Sequence, residues 1–174
     1  IVFFISSYMG QDDNNLVLNS SFESIEGKLK KLSQINFASD WQSPTALNAD
    51  LFSKSIKGDI SVPENIYGKE YPKDGDNYAG ILTFSYNNKK PRTYLQTKLI
   101  KSLTSGLDYC INVHLSLADL SRYAIDNIGI HFSETPLSLD KKGDIIFSDK
   151  SEFDKVLKEE ENKIFKSRYK WEKI

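Results

Sequence analysis

The stretch Cys110–Ala118, CINVHLSLA, alternates residue by residue. Ile111, Val113, Leu115 and Leu117 share one parity, and Asn112, His114 and Ser116 share the other, the period of a strand with one face buried. Two upstream segments repeat the pattern. In NYAGILTFSY (77–86), Tyr78, Leu82, Phe84 and Tyr86 fall on one face; in TYLQTKLI (93–100), Leu95 and Leu99 oppose Gln96 and Lys98. NNKKP (87–91) and Gly106 supply turns between them. Strands spaced this closely, with no long helical period between them, predict an all-β antiparallel jelly-roll β-sandwich rather than a parallel sheet with crossover helices.

Around this centre the text is less regular. NLVLNSSFES (15–24) reads as strand followed by a Lys-rich polar segment, and Trp41 anchors a loop in FASDWQSPT (37–45). Residues 44–77 are polar and punctuated by Pro44, Gly58, Pro63, Gly68, Pro72 and Gly75, which predicts one long loop, functional or mobile. One short helical insertion is predicted near 151–163, where Phe153, Val156, Leu157 and Ile164 recur at helical spacing behind Ser151 and Asp154. KSRYKWEKI (166–174) returns to strand alternation and reads as a sandwich cut before its closing strands.

The opening IVFFISSYMGQDDNN runs apolar, then small, then acidic. Residues 1–10 read as the remnant of a signal peptide and 11–174 as a single β-sandwich domain. The alternative is an ordinary buried first strand; QDDNN is a poor continuation of one. Ile1–Ile5 is too short to span a bilayer.

Composition narrows the function classes. With 23 Lys and Arg against 24 Asp and Glu, the net charge of −1 carries no footprint for nucleic acid or an anionic membrane. The basic spots at Lys28, Lys30 and Lys31, at Lys89 and Lys90, and at Lys141 and Lys142 are diluted by acids and read as solvated surface. A single cysteine, Cys110, excludes an internal disulfide and a thiolate zinc cluster, and reads as a small packed residue. His114 and His131 both fall on faces pointing away from the predicted core. No nucleophile elbow, phosphate loop or HExxH element is present, so a non-enzymatic role is expected.

The polar residues of SLADLSRYAIDNIGIHFSE (116–134) stand out against this background. Asp126 shares the parity of Ile128, Ile130 and Phe132, which aims a carboxylate toward the core, where it needs a partner. Three are available: Arg122, backbone N–H groups of the preceding turn, or a calcium ion held with Asn19 and Glu23. Asp119, Arg122, Asp126 and Asn127 are therefore a candidate structural polar cluster. Asn19, Glu23 and Asp126 are a candidate calcium set.

NLVLNSSFE with the downstream SDWQSP is similar to the opening of carbohydrate-binding-type jelly-roll modules of the galactose-binding-like fold. DGDNYAGILTF and YLQTKLIKSLTSGLDYCINVHLSLADLSRYAIDNIGIHFS resemble an envelope module found ahead of OmpA-like domains in Gram-negative bacteria, over about residues 15–136. The resemblance implies an exported protein of the periplasm, outer membrane or cell surface, and a non-catalytic role in binding a glycan or cell-wall polymer. In calcium-binding members of the wider fold, the Glu of the SFE element and a late Asp hold the ion; Glu23 matches the first. Trp41, Tyr67 and Tyr71 are the candidate ligand-binding aromatics, with residues 65–76 as the rim. Tyr78 and Tyr86 lie in alternating strand text and are expected to pack inside. The alternative is a structural or protein-interaction domain, contacting other envelope proteins through an apolar patch or a free sheet edge.

Overall fold

A computed structural model describes residues 2–6, 15–126, 128–145 and 164–174 of the 174-residue chain. Among these residues the regular elements are nine short strands and two 3₁₀ turns, Ile35–Phe37 and Tyr86–Asn88, with no α-helix. The chain is all-β. The insertion expected near 151–163 lies outside the described residues.

Five strands build the main antiparallel sheet: β1 (Val2–Ser6), β3 (Asp50–Ser53), β6 (Asn77–Leu82), β8 (His114–Leu117) and β9 (Glu172–Lys173), in the order β3-β6-β1-β8-β9. Strand β2 (Trp41–Gln42) pairs with β7 (Gln96–Thr97), and β4 (Glu64–Asn65) with β5 (Gly68–Lys69) as a tight hairpin. Isolated bridges Val17–Leu99 and Asn48–Tyr94 extend contact along the β2–β7 ladder.

Register explains which residues meet. Phe52 lies opposite Tyr78, and β1 carries Gly80 and Ser116 to one level through their shared partner Phe4. Phe52, Tyr78, His114 and Ser116 therefore project from one face of the sheet, and Leu51, Ala79, Leu115 and Leu117 from the other. Both faces are buried. A Cβ on Gly80 would sit 2.7 Å from the Phe52 ring, so a glycine is needed for that ring to lie across β6.

The second burial corrects the expected alternation of β8. His114 and Ser116 were expected to face solvent; they are 8% and 1% exposed, because the β4–β5 hairpin lies over their face. Its Glu70 carboxylate accepts the Ser116 hydroxyl, its Asn65 amide donates to the Tyr78 hydroxyl (2.8 Å), and its Tyr67 ring meets Phe52 edge-on at 6.1 Å.

Three other expectations are corrected. The 44–77 loop holds β3, β4 and β5; β3 is short and buried on both faces, so it shows no alternation to read. Cys110 is exposed, because backbone pairing in its alternating run begins only at Val113. Ile128–Phe132 forms no strand; the nearest pairing is the single bridge Ile125–Phe165. Val2–Ser6, whose composition reads as a leader remnant or as an ordinary first strand, is the middle strand of the main sheet.

Candidate functional site

Beyond the C-terminal end of β6 the chain turns at Ser85–Lys89. Asn88 N–H donates to Ser85 O (3.0 Å), Lys90 N–H to Ser85 Oγ (3.1 Å), and Asn87 and Asn88 take left-handed φ of 54° and 51°. Asparagine tolerates that region better than other side chains with a Cβ. The turn holds Tyr86 outward, 60% exposed, which corrects its expected place in the interior. Thr93 closes the loop, with its N–H bonded to Leu82 O (3.0 Å) and its hydroxyl accepting Leu82 N–H (2.8 Å).

Opposite this loop stands the segment after β8. Ser121 N–H donates to Ala118 O (2.9 Å) to form a turn, and Leu120 N–H donates to Tyr67 O (3.1 Å), docking the turn on the hairpin. Between the two loops lies an open cavity of about 280 Å³, lined by Tyr67, Leu82, Phe84, Ser85, Tyr86 and Leu120–Tyr123. Phe84 and Tyr123 meet edge-to-face at 5.3 Å. Leu120 is 70% exposed on the rim. A second cavity of the same volume, lined by Leu18, Asp40, Lys98, Leu99 and Ile100, has no aromatic ring.

Tyr67 is held from behind. Its hydroxyl is hydrogen-bonded to the carboxylate of Asp50, which also accepts Ser33 N–H at 2.7 Å. Burial drives the Asp50 carboxyl up to about 6, partly opposed by the Ser33 and Tyr67 hydrogen bonds and by Lys90. Burial and the Asp50 charge push the Tyr67 phenol up to about 12, so it stays protonated.

Of the expected ligand aromatics, the structure brings Tyr67 alone to the cavity. Trp41 is half-buried in β2, with its ring 4.9 Å from Phe22 and its indole N–H bonded to Asn19 O (2.9 Å): a packing residue rather than an open platform. Tyr71 is exposed but sits elsewhere on the hairpin, where Trp171 Nε1 donates to its carbonyl (2.8 Å) and Lys69 Nζ lies 5.9 Å from its ring. Tyr78 is fully buried as expected. Tyr86 and Tyr123 were not chosen from sequence. The Asn-Asn pair after Tyr86 was the available signal, because it marks a turn where the alternation suggests a continuing strand.

The candidate calcium residues serve other partners. Asn19 uses its amide on Ser24 N–H (2.9 Å), Ser24 O (2.9 Å) and Ser39 O (2.8 Å). Glu23 Oε1 accepts Asp76 N–H and Asn77 N–H, both at 3.0 Å, and Oε2 accepts Asn77 Nδ2 at 2.9 Å, so the carboxylate ties the SFE element to the start of β6. Burial raises its pKa, opposed by those backbone bonds. Asp126 is exposed rather than aimed into the core. Among the described residues no three His, Cys, Asp or Glu side chains gather where they could hold a metal ion, and the side-chain oxygens of Asn19 and Glu23 are engaged in hydrogen bonds.

The expected polar cluster is also divided. Asp119 accepts Lys69 N–H at 2.7 Å and packs on Gly68, fastening the β8 end to the hairpin. Arg122 lines the cavity, and no ion pair joins it to Asp126 among the described residues. Asn127 lies outside the described residues. A buried carboxylate that sequence reasoning missed, Glu70 (4% exposed), accepts the Ser116 hydroxyl and Tyr71 N–H (3.1 Å); burial raises its pKa. It lies in loop text, where nothing in the sequence shows that a sheet face will cover it.

No family model, curated protein or solved structure matches this chain. No helix among the described residues is long and apolar enough to cross a membrane.

Proposed function

We propose that this chain is a non-catalytic glycan-binding module, a jelly-roll β-sandwich of an exported cell-envelope protein, whose site is the cavity between the Ser85–Lys89 turn and the Ala118–Tyr123 segment. The observation that carries the reading is the lining: Tyr67, Phe84, Tyr86 and Tyr123 with Arg122 and two serines, in about 280 Å³. Sugars present apolar C–H faces that stack on aromatic rings and hydroxyls that need a few placed polar groups. The volume lies just under the roughly 300–1,000 Å³ of drug-sized pockets, which suits one or two sugar rings. The lining includes no carboxylate pair, histidine or cysteine, which supports binding rather than hydrolysis.

Tyr86→Ala and Tyr123→Ala are expected to lower retention on insoluble cell-wall glycan at least tenfold with an unchanged circular dichroism spectrum. Wild-type retention in both variants would overturn this site.

A second reading, an interaction domain of an envelope assembly with no sugar ligand, draws on Leu107, Tyr109 and Phe132, which are 62%, 41% and 42% exposed in strand-type text. Sedimentation with and without envelope extract separates the two. A complex that survives both tyrosine substitutions would favour the second.

A further inference from the structure

The cavity contains a single charged side chain. Of its nine lining residues Arg122 alone carries a charge; the rest are aromatic, aliphatic or hydroxyl-bearing. Among the described residues its guanidinium takes part in no ion pair: the three pairs are Lys54–Asp76, Lys69–Glu64 and Arg92–Asp144. The acids near it in sequence do not quench it. Asp119 is turned to the hairpin, against Gly68 and bonded by Lys69 N–H, and Asp126 makes no ion pair among the described residues. Behind Tyr67, the Asp50 carboxylate is occupied by Ser33 N–H and the Tyr67 hydroxyl, and Lys90 acts on it as a counter-charge.

An exposed arginine at an aromatic wall has a specific use. Its planar fork matches the paired oxygens of an anion and binds them with two parallel N–H···O bonds. With a net charge of −1 the chain draws anions through no overall field, so selectivity for a charged ligand is local.

We infer that the cavity selects acidic sugars, those bearing a carboxylate or sulfate, and that Arg122 is the residue that reads the anion while Tyr67, Tyr86 and Tyr123 hold the ring. The inference rests on the glycan reading above and narrows it to a ligand class.

Affinity electrophoresis of the full chain in gels containing polygalacturonate beside its carboxyl-reduced form, and dextran sulfate beside dextran, tests it. The wild type is expected to bind at least one acidic polymer about tenfold tighter than its neutral counterpart, an advantage that weakens with added salt. Arg122→Gln is expected to bind both forms alike, at the wild-type level for the neutral one. Lys28→Gln, which removes one exposed charge elsewhere, is expected to keep the preference. The polymer that shows the preference tells carboxylate from sulfate. Equal wild-type binding to acidic and neutral forms would overturn the inference and leave the glycan reading standing. Binding to none of the polymers would overturn the inference, and no retention on insoluble cell-wall glycan either would overturn the glycan reading with it. A preference that survives Arg122→Gln, or is lost in Lys28→Gln, would overturn the role of Arg122.

Discussion

At the scale of single residues, buried carboxylates carry the clearest consequences. Asp50 has a folded pKa of about 6, raised from 3.8 chiefly by burial. The folded state therefore holds a proton that the unfolded state has released between about pH 4 and pH 6. Over that window this group's contribution to stability falls as pH rises, and above it the fold carries an ionised carboxylate at a cost of about 3 kcal/mol at most. Asp50→Asn can still accept Ser33 N–H and donate to the Tyr67 hydroxyl. It is expected to exceed the wild type by about 1–3 kcal/mol in urea denaturation at pH 8 and to match it at pH 4. Glu23, Glu70 and His114 are present in both proteins and cancel in the difference.

Glu23 acts the other way, as a clasp. Glu23→Ala would leave two backbone N–H groups and the Asn77 amide without their acceptor. The expected loss is about 2–3 kcal/mol in chemical denaturation, the same with chelator as with millimolar calcium. A wild-type melting temperature that rises with calcium would restore the metal reading.

At the scale of elements, the β4–β5 hairpin decides most of what alternation could not. It buries the second face of β6 and β8, brings Tyr67 to the cavity, and is seated by Asp119. Its approach depends on Gly68, whose φ of +128° disfavours any side chain and whose added Cβ would lie 2.6 Å from the Asp119 Cβ. Gly106 is a useful contrast, with φ +83° and nothing within 4 Å of an added Cβ. Gly106→Ala is expected to cost about 1 kcal/mol, from backbone strain alone. Gly68→Ala adds the clash and is expected to cost about 3 kcal/mol in thermal melts and to weaken glycan retention. Equal losses in the two variants would show that seating against Asp119 contributes nothing.

For the whole molecule, the middle of the sheet is the decisive place. Strand β1 pairs with β6 on one side and β8 on the other, and no direct ladder joins those two. Without β1, backbone groups in a buried layer lose their partners at about 1 kcal/mol or more each, comparable in sum to the stability of a domain. A chain beginning at Gln11 is expected to lose its cooperative unfolding transition, followed by tryptophan fluorescence in urea. Undiminished stability would mean that Val2–Ser6 is dispensable to the fold, as a cleaved leader requires.

How much of this was legible in the text varies with what each residue touches. Strand character, the turns at 87–91 and Gly106, and the burial of Tyr78, Leu115 and Leu117 follow from local alternation, because a strand with one buried face writes its period into adjacent residues. The same logic failed for Ser116 and His114, which a distant hairpin covers, and for β3, which is short and covered on both faces. Asp119 and Arg122 stand out in the sequence as polar residues beside an apolar run, but proximity along the chain does not set the partners they take. The structure gives Asp119 to a residue fifty positions away and leaves Arg122 facing a cavity. By itself, then, the sequence determined strand character with its turns, and one tyrosine of the candidate site. Tertiary structure alone decided which strands are neighbours, which carboxylates are buried and which aromatic rings share a cavity. These depend on contacts between residues far apart in the chain, and the short-range period of a strand carries no record of them.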